Sequence, residues 1–299
     1  MKRTVWALVA LLALAGCTTY SGTPAGTPGT VAGPATPSPV DCSAVPTERD
    51  EPERLDLGIA RITLCNDPGH TVQFNFPGPA VPPDALVTDT DRVAEAYNAL
   101  EEAHRESMAC TADLGPAYRL VVEYPDGRTV QLTGEQFGCR VVGGRVGAPK
   151  VLAAFVEALQ AQRTTLPAPT PELDPDAVCR SSQSWLPATL ADTTRGVLCT
   201  GFDQAARGRA IEPDDWAVLR ADMLANSRPF ADADAAMTCP EPTNTALVGV
   251  APAGETFSAQ PLCHAWMWLP ETDPRATTVT SDIWEPGPDA AEILARAAG

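Results

Sequence analysis

The chain is predicted to be α+β, built as two tandem similar domains, each a small antiparallel sheet with two covering helices, stapled by disulfides. Three observations carry that prediction. Eight cysteines fall into two groups of four: Cys42, Cys65, Cys110, Cys139, then Cys179, Cys199, Cys239, Cys263. The same order of strand, helix, hairpin and closing helix is legible around both groups, at a period that marks an internal repeat. A proline-rich stretch, 164–175, separates them.

Taken in order, residues 1–16 carry Lys2 and Arg3, an uncharged apolar run from Val5 to Leu14, and small residues up to Cys17. That pattern is a secretory signal peptide. The run is too short to span a bilayer, which takes about 20 apolar residues. Residues 17–40 are rich in Thr, Pro, Gly and Ala and lack charge, so they bury too little apolar surface to offset chain entropy and form a disordered tether.

The first domain is expected over 41–163. Gly58 to Cys65 is a strand ending in Leu-Cys. Asp89 or Thr90 caps a helix through about Arg105, with Val93, Tyr97, Leu100 and His104 on one stripe. Tyr118 to Tyr124 alternates, Pro125-Asp126-Gly127 turns, and Arg128 to Leu132 returns as a hairpin. Arg140-Val141-Val142 follows Cys139. Lys150 to Gln162 places Val151, Leu152, Phe155, Val156 and Leu159 on one side of a closing helix.

The second domain is expected over 176–299. Thr193 to Cys199 parallels the first strand. Pro213 and Asp214 start a helix to about Asn226, with Trp216, Leu219, Met223 and Leu224 as its stripe. Ala246–Ala251 and Thr256–Ala259 flank a Pro252-Ala253-Gly254 turn. The run His264 to Leu269 follows Cys263, an extra strand is available within 276–284, and Asp289 to Ala298 closes the chain as a helix.

Eight cysteines allow 105 connectivities, and spacing alone does not choose among them. Pairing inside each copy (Cys42–Cys65, Cys110–Cys139, Cys179–Cys199, Cys239–Cys263) is the expectation taken here. Each loop of about 20 to 30 residues would then stabilise by roughly 3–4 kcal/mol in the chain-entropy model.

Leu14-Ala15-Gly16-Cys17 is similar to the bacterial lipobox, which implies that Cys17 becomes the mature N-terminus and carries lipid on its thiol. The Leu64-Cys65 strand end, the stretch from Tyr118 to Gly127 and the Gly138-Cys139 pair together resemble secreted lipoproteins of high-GC Gram-positive, actinobacterial type. The likeness covers most of the first copy and the second only weakly. Pro252-Ala253-Gly254 stands there for the Pro-Asp-Gly turn, and Leu262 for the glycine before the cysteine. It implies a location at the extracytoplasmic face of the cell membrane and an architecture, but no chemistry.

The formal charge is −17, and loss of Lys2 and Arg3 with the signal makes it two units more negative. Nucleic acid is not expected as a partner, because phosphate binding needs clustered Lys and Arg. Acidity suits solubility, or a cationic partner. No metal is expected: no Cys pair has ligand spacing, and His70, His104 and His264 share no motif. No cofactor is expected either, since glycine-rich nucleotide loops are missing, as are nucleophile elbows and the metalloprotease motif.

Three candidate sites remain. His264, Trp266 and Trp268 could form a platform for sugar or peptide with His264 at its edge, but alternation puts all three on one strand face, which favours core. Asp89 and Asp91 suit helix capping better than calcium, because position 12 of such a loop is Leu100. Asp232 and Asp234 have no assigned role. Glu101 and His104 share a helix face without a nucleophile or oxyanion donor. The function expected is a non-enzymatic, membrane-anchored binding or sensing module, partnered by an envelope protein or a small ligand. The alternative is a secreted hydrolase whose site lies between the two domains.

Overall fold

The computed structural model describes residues 42, 50–67, 78–104, 106, 108–113, 115–181, 183–201, 205–230, 244–268 and 281–298. The signal, the tether, His70, Cys239, Asp232 and Asp234 lie outside them. The described chain is α+β, with two antiparallel sheets, few helices and disulfides.

In the first sheet, β1 (Arg61–Asn66) pairs with β3 (Ala117–Glu123), which pairs with β4 (Thr129–Glu135). The short strands β5 (Val141–Val142), β6 (Arg145–Val146) and β2 (Glu101–Glu102) complete the order β1-β3-β4-β5-β6-β2. Period-two alternation sends Ile62, Leu64, Tyr118, Leu120, Val122 and Leu132 into one core. Leu64 sits opposite Leu120, which sits opposite Leu132, so the apolar pairs stack across the sheet. Gly127 takes the positive φ, 85°, of the hairpin turn, a conformation glycine adopts without steric cost.

Helices α1 (Asp91–Asn98) and α2 (Ala148–Arg163) pack on each other and close this core with Val93, Tyr97, Val151, Phe155 and Leu159. The first helix is shorter than its apolar stripe predicts, leaving Leu100 and His104 beyond its end. Tertiary bonds stop it. The Asn98 amide bonds both backbone groups of Leu55, at 2.8 and 2.9 Å. Arg145 takes the Leu100 carbonyl at 2.6 Å, and Glu101 and Glu102 are drawn into β2. The capping assignment also changes. Thr90 stands at the N-cap but donates its hydroxyl to the Ile59 carbonyl, at 2.7 Å. Asp91 instead accepts from the backbone N–H groups of Gly58 and Ile59.

The second sheet has the order β8-β7-β10-β11-β12-β13-β9. Its strands are β7 (Arg195–Thr200), β8 (Arg207–Ile211), β9 (Ser227–Pro229), β10 (Thr245–Val250), β11 (Thr256–Leu262), β12 (Ala265–Trp268) and β13 (Asp282–Trp284). Helices α4 (Pro213–Asn226) and α5 (Pro288–Ala298) cover one face, and α3 (Pro175–Arg180) lies against β7 and β8. Leu198 and Leu247, paired across β7 and β10, enter the helix-side core. Their neighbours Val197 and Val248 enter a smaller cluster with Cys179 and Cys199 on the other face.

Disulfides join Cys42–Cys65, Cys110–Cys139 and Cys179–Cys199. Cys263 is disulfide-bonded as well.

Candidate functional site

The described segment 183–191 begins just after α3 and crosses between the two sheets. Its first part is held by the first sheet. Ala80 and Ser184 form a parallel bridge, with the Ala80 N–H 2.8 Å from the Gln183 carbonyl. The Trp185 indole N–H donates to Asn66 at 2.8 Å, and its ring meets Tyr118 edge-on at 5.8 Å. Trp185 and Leu186 are members of the first core, although they lie within the stretch the sequence assigns to the second domain.

The rest of the segment is held by the second sheet. The Ala188 N–H donates to the Thr256 carbonyl at 3.2 Å. Thr189 and Asp192 then bond reciprocally: the Asp192 carboxylate accepts the Thr189 hydroxyl at 2.6 Å and its N–H at 3.2 Å, and the Asp192 N–H donates to the Thr189 carbonyl at 3.1 Å. This turn is followed by Thr193, whose hydroxyl donates to Leu190 at 2.7 Å.

Between this crossing segment and the second sheet lies a cleft of about 830 Å³. Gln183, Ser184, Pro187 and Thr189 form one wall. Thr256, Phe257, Ser258 and Gln260 of β11 form another, with Met267 and Trp268 of β12 and Asp282 of β13 beside them. Leu224 and Ser227 border it at the end of α4. Leu224 is therefore not part of the buried helix stripe; it is 54% exposed, while Trp216, Leu219 and Met223 are buried. Position 224 falls about 80° round the helix from Trp216, which explains the departure.

Of the three aromatic-strand candidates, only Trp268 reaches this cleft. It is buried, meets Phe257 edge-on at 5.4 Å and contributes mainly core. Trp266 packs partly buried against the same core. His264 sits in the β11–β12 turn, 66% exposed, with its Nε2 3.8 Å from Glu285. The strand face is thus core at Trp266 and Trp268, as alternation favours, and His264 stands apart. Glu101 is exposed in β2. Among the described residues no group of three or more His, Cys, Asp or Glu side chains is placed to hold a metal ion, and no described helix is long and apolar enough to cross a membrane.

The described lining carries one carboxylate, Asp282, with hydroxyls, amides and apolar groups; no Lys, Arg or His is among it. It offers hydrogen bonds and contact surface. Among the described residues, two buried charge clusters lie elsewhere. Arg119 pairs with Asp67 at 2.6 Å. Arg163, at the end of α2, grips Asp84 through two bonds of 2.6 and 3.0 Å and reaches Glu255 of the second half. Burial works to lower the Arg163 pKa, but the hydrogen bonds and charges of Asp84 and Glu255 prevail and raise it.

No protein-family model, curated protein or solved structure matches the chain.

The cleft was not legible in the sequence, because it depends on residues about 70 positions apart meeting across a crossing segment. One local signal was present: Thr189 and Asp192, three apart, form a capping-box pair that fixes the turn.

Proposed function

We propose that this protein is a non-enzymatic lipoprotein, anchored through Cys17 at the extracytoplasmic face of the cell membrane, that binds a ligand in the cleft beside β11. The cleft carries the reading. Its volume, about 830 Å³, is within the range of roughly 300–1,000 Å³ of small-molecule sites, and its described lining favours holding a ligand over transforming one. Lys2, Arg3, the apolar run and Leu14-Ala15-Gly16-Cys17 support the anchor. Disulfides support export, because they persist in oxidising compartments.

The chain is further proposed to be two tandem copies of one domain, over 41–163 and 176–299, with 164–175 as linker and 17–40 as tether. The shared strand order and the cysteines on β1 and β7 support it. Segment 183–186 would then be a part of the second copy given over to the first.

Mass spectrometry of the N-terminal peptide from membranes tests the anchor: a lipidated Cys17 is expected, and an unmodified Met1 overturns it. Binding is tested by passing envelope extract over immobilised full chain and over its Gln260→Trp variant, which fills the cleft from an exposed position. The wild type should retain a component that the variant loses; equal retention, or none by either, overturns the cleft as the site.

A further inference from the structure

We infer that the ligand is an uncharged, hydroxyl-rich molecule, a short oligosaccharide, a step that rests on the cleft being the binding site. The first argument is charge. The described lining has no cation and one carboxylate, Asp282, on a chain of formal charge −17. An acidic ligand would give up hydration on entering and find no opposite charge to replace it.

The second argument is the chemistry left unused. Several lining hydroxyls are already committed: Ser184 to Ala80, Thr189 to Asp192, Ser227 to Met223. The side chains of Gln183, Ser258, Gln260 and Asp282 make no hydrogen bond among the described residues. Two amides, a hydroxyl and a carboxylate thus border one cleft. Each amide donates and accepts at once, and so does each hydroxyl of a sugar, so adjacent sugar hydroxyls can be matched pairwise. Half-exposed Met267 and exposed Leu224 offer apolar surface for the C–H faces of a ring.

The third argument separates a sugar from an extended peptide. Peptides that add to a sheet need a row of open backbone groups. Here β10 occupies one side of β11. On the other side Ala188 takes the Thr256 carbonyl and β12 pairs with Gln260 to Leu262. That leaves at most Ser258 with open backbone groups, too short a row for a strand to add to, so recognition falls mainly to side chains.

The test presents full-length protein, in a detergent lacking a sugar headgroup, to three immobilised sets. These are neutral di- to tetrasaccharides, the same sugars carrying sulfate or uronic acid, and peptides of mixed sequence. Retention on the neutral set is expected. Gln183→Ala and Gln260→Ala should each weaken it by about fivefold or more, while His264→Ala, which is outside the cleft, should leave it unchanged. Both glutamines are exposed, so the variants should keep the wild-type melting temperature. Retention only on acidic sugars or only on peptides, lost in the same variants, overturns the sugar assignment and leaves the cleft a binding site. Retention on no set, together with no difference between wild type and Gln260→Trp on envelope extract, overturns both.

Discussion

The two sheets run through their elements in the same order, yet they fill their cores by opposite means. In the first, the cross-strand pair Ile62 and Val122 supplies bulk from the sheet itself. The equivalent pair in the second, counted back from the Leu-Cys strand ends, is Gly196 and Gly249. There the bulk comes from above: the Trp216 ring of α4 lies so close that a Cβ on Gly196 would stand 2.2 Å from it. Edges are treated differently too. Ile62 is bridged by Leu86 alone, whereas Gly196 pairs with Ile211 in a full added strand. The first core is then sealed by Trp185 and Leu186, while the cleft remains beside the second sheet. The difference teaches that one strand order accepts bulk supplied either by the sheet or by the helix above it, and that the segment sealing one half borders a recess at the other.

The largest expected effect comes from Trp216→Ala. It should cost about 3–5 kcal/mol by urea denaturation. Adding Gly196→Ile should recover a substantial part, because the three atoms nearest a Cβ there all belong to the Trp216 ring that the first change removes. No recovery would mean that the two cores are not interchangeable.

Trp185→Ala should cost about 3–4 kcal/mol, slightly less because the side chain keeps some exposure. Hydrogen exchange should show the loss in β1 and β3, far along the chain from the substitution. Loss confined to the second sheet would contradict the assignment of this residue to the first core.

Replacing Cys179 and Cys199 by Ala should cost about 3 kcal/mol, and replacing Cys110 and Cys139 a similar amount. Their sequence separations, 20 and 29, imply nearly equal loop entropies. A difference beyond about 2 kcal/mol would show that the staples do unequal work in the two halves.

The smallest effect belongs to Tyr118, whose hydroxyl donates to the Ala148 carbonyl at 2.8 Å. Tyr118→Phe should cost about 1 kcal/mol at neutral pH, the worth of one buried hydrogen bond. Burial raises the pKa of the native phenol well above its ordinary value. Above about pH 10 the unfolded chain ionises this tyrosine while the native state keeps its proton. Its contribution is therefore full below pH 10 and is lost as pH rises. The variant should show a shallower alkaline decline; an unchanged slope would assign that decline to other groups.

Much of the architecture was legible because it is local. The alternation in Tyr118–Tyr124, the Pro125-Asp126-Gly127 turn and the Pro213 helix start each encode their element in a few residues, and Cys42–Cys65, Cys110–Cys139 and Cys179–Cys199 each join cysteines adjacent in the sequence order of cysteines. Elements set by partners were not legible. Strands β2, β6 and β9 are two or three residues long and exist through pairing; β8, Arg-Gly-Arg-Ala-Ile, has no apolar alternation and is defined by β7. The apolar stripe through Leu100 and His104 misled because Asn98 and Arg145 divert the chain. Of the site, the aromatic strand could be found and its core role weighed. The crossing segment could not, because nothing in Gln183-Ser184-Trp185-Leu186 announces which half will bury it.

That crossing segment bears on how the protein could be taken apart. A protease nicking the proline-rich stretch would not release two self-sufficient pieces, for the downstream fragment would still own the wedge that seals the upstream one. The halves would stay clasped after the cut, and an upstream half made alone would lack a piece of its own interior.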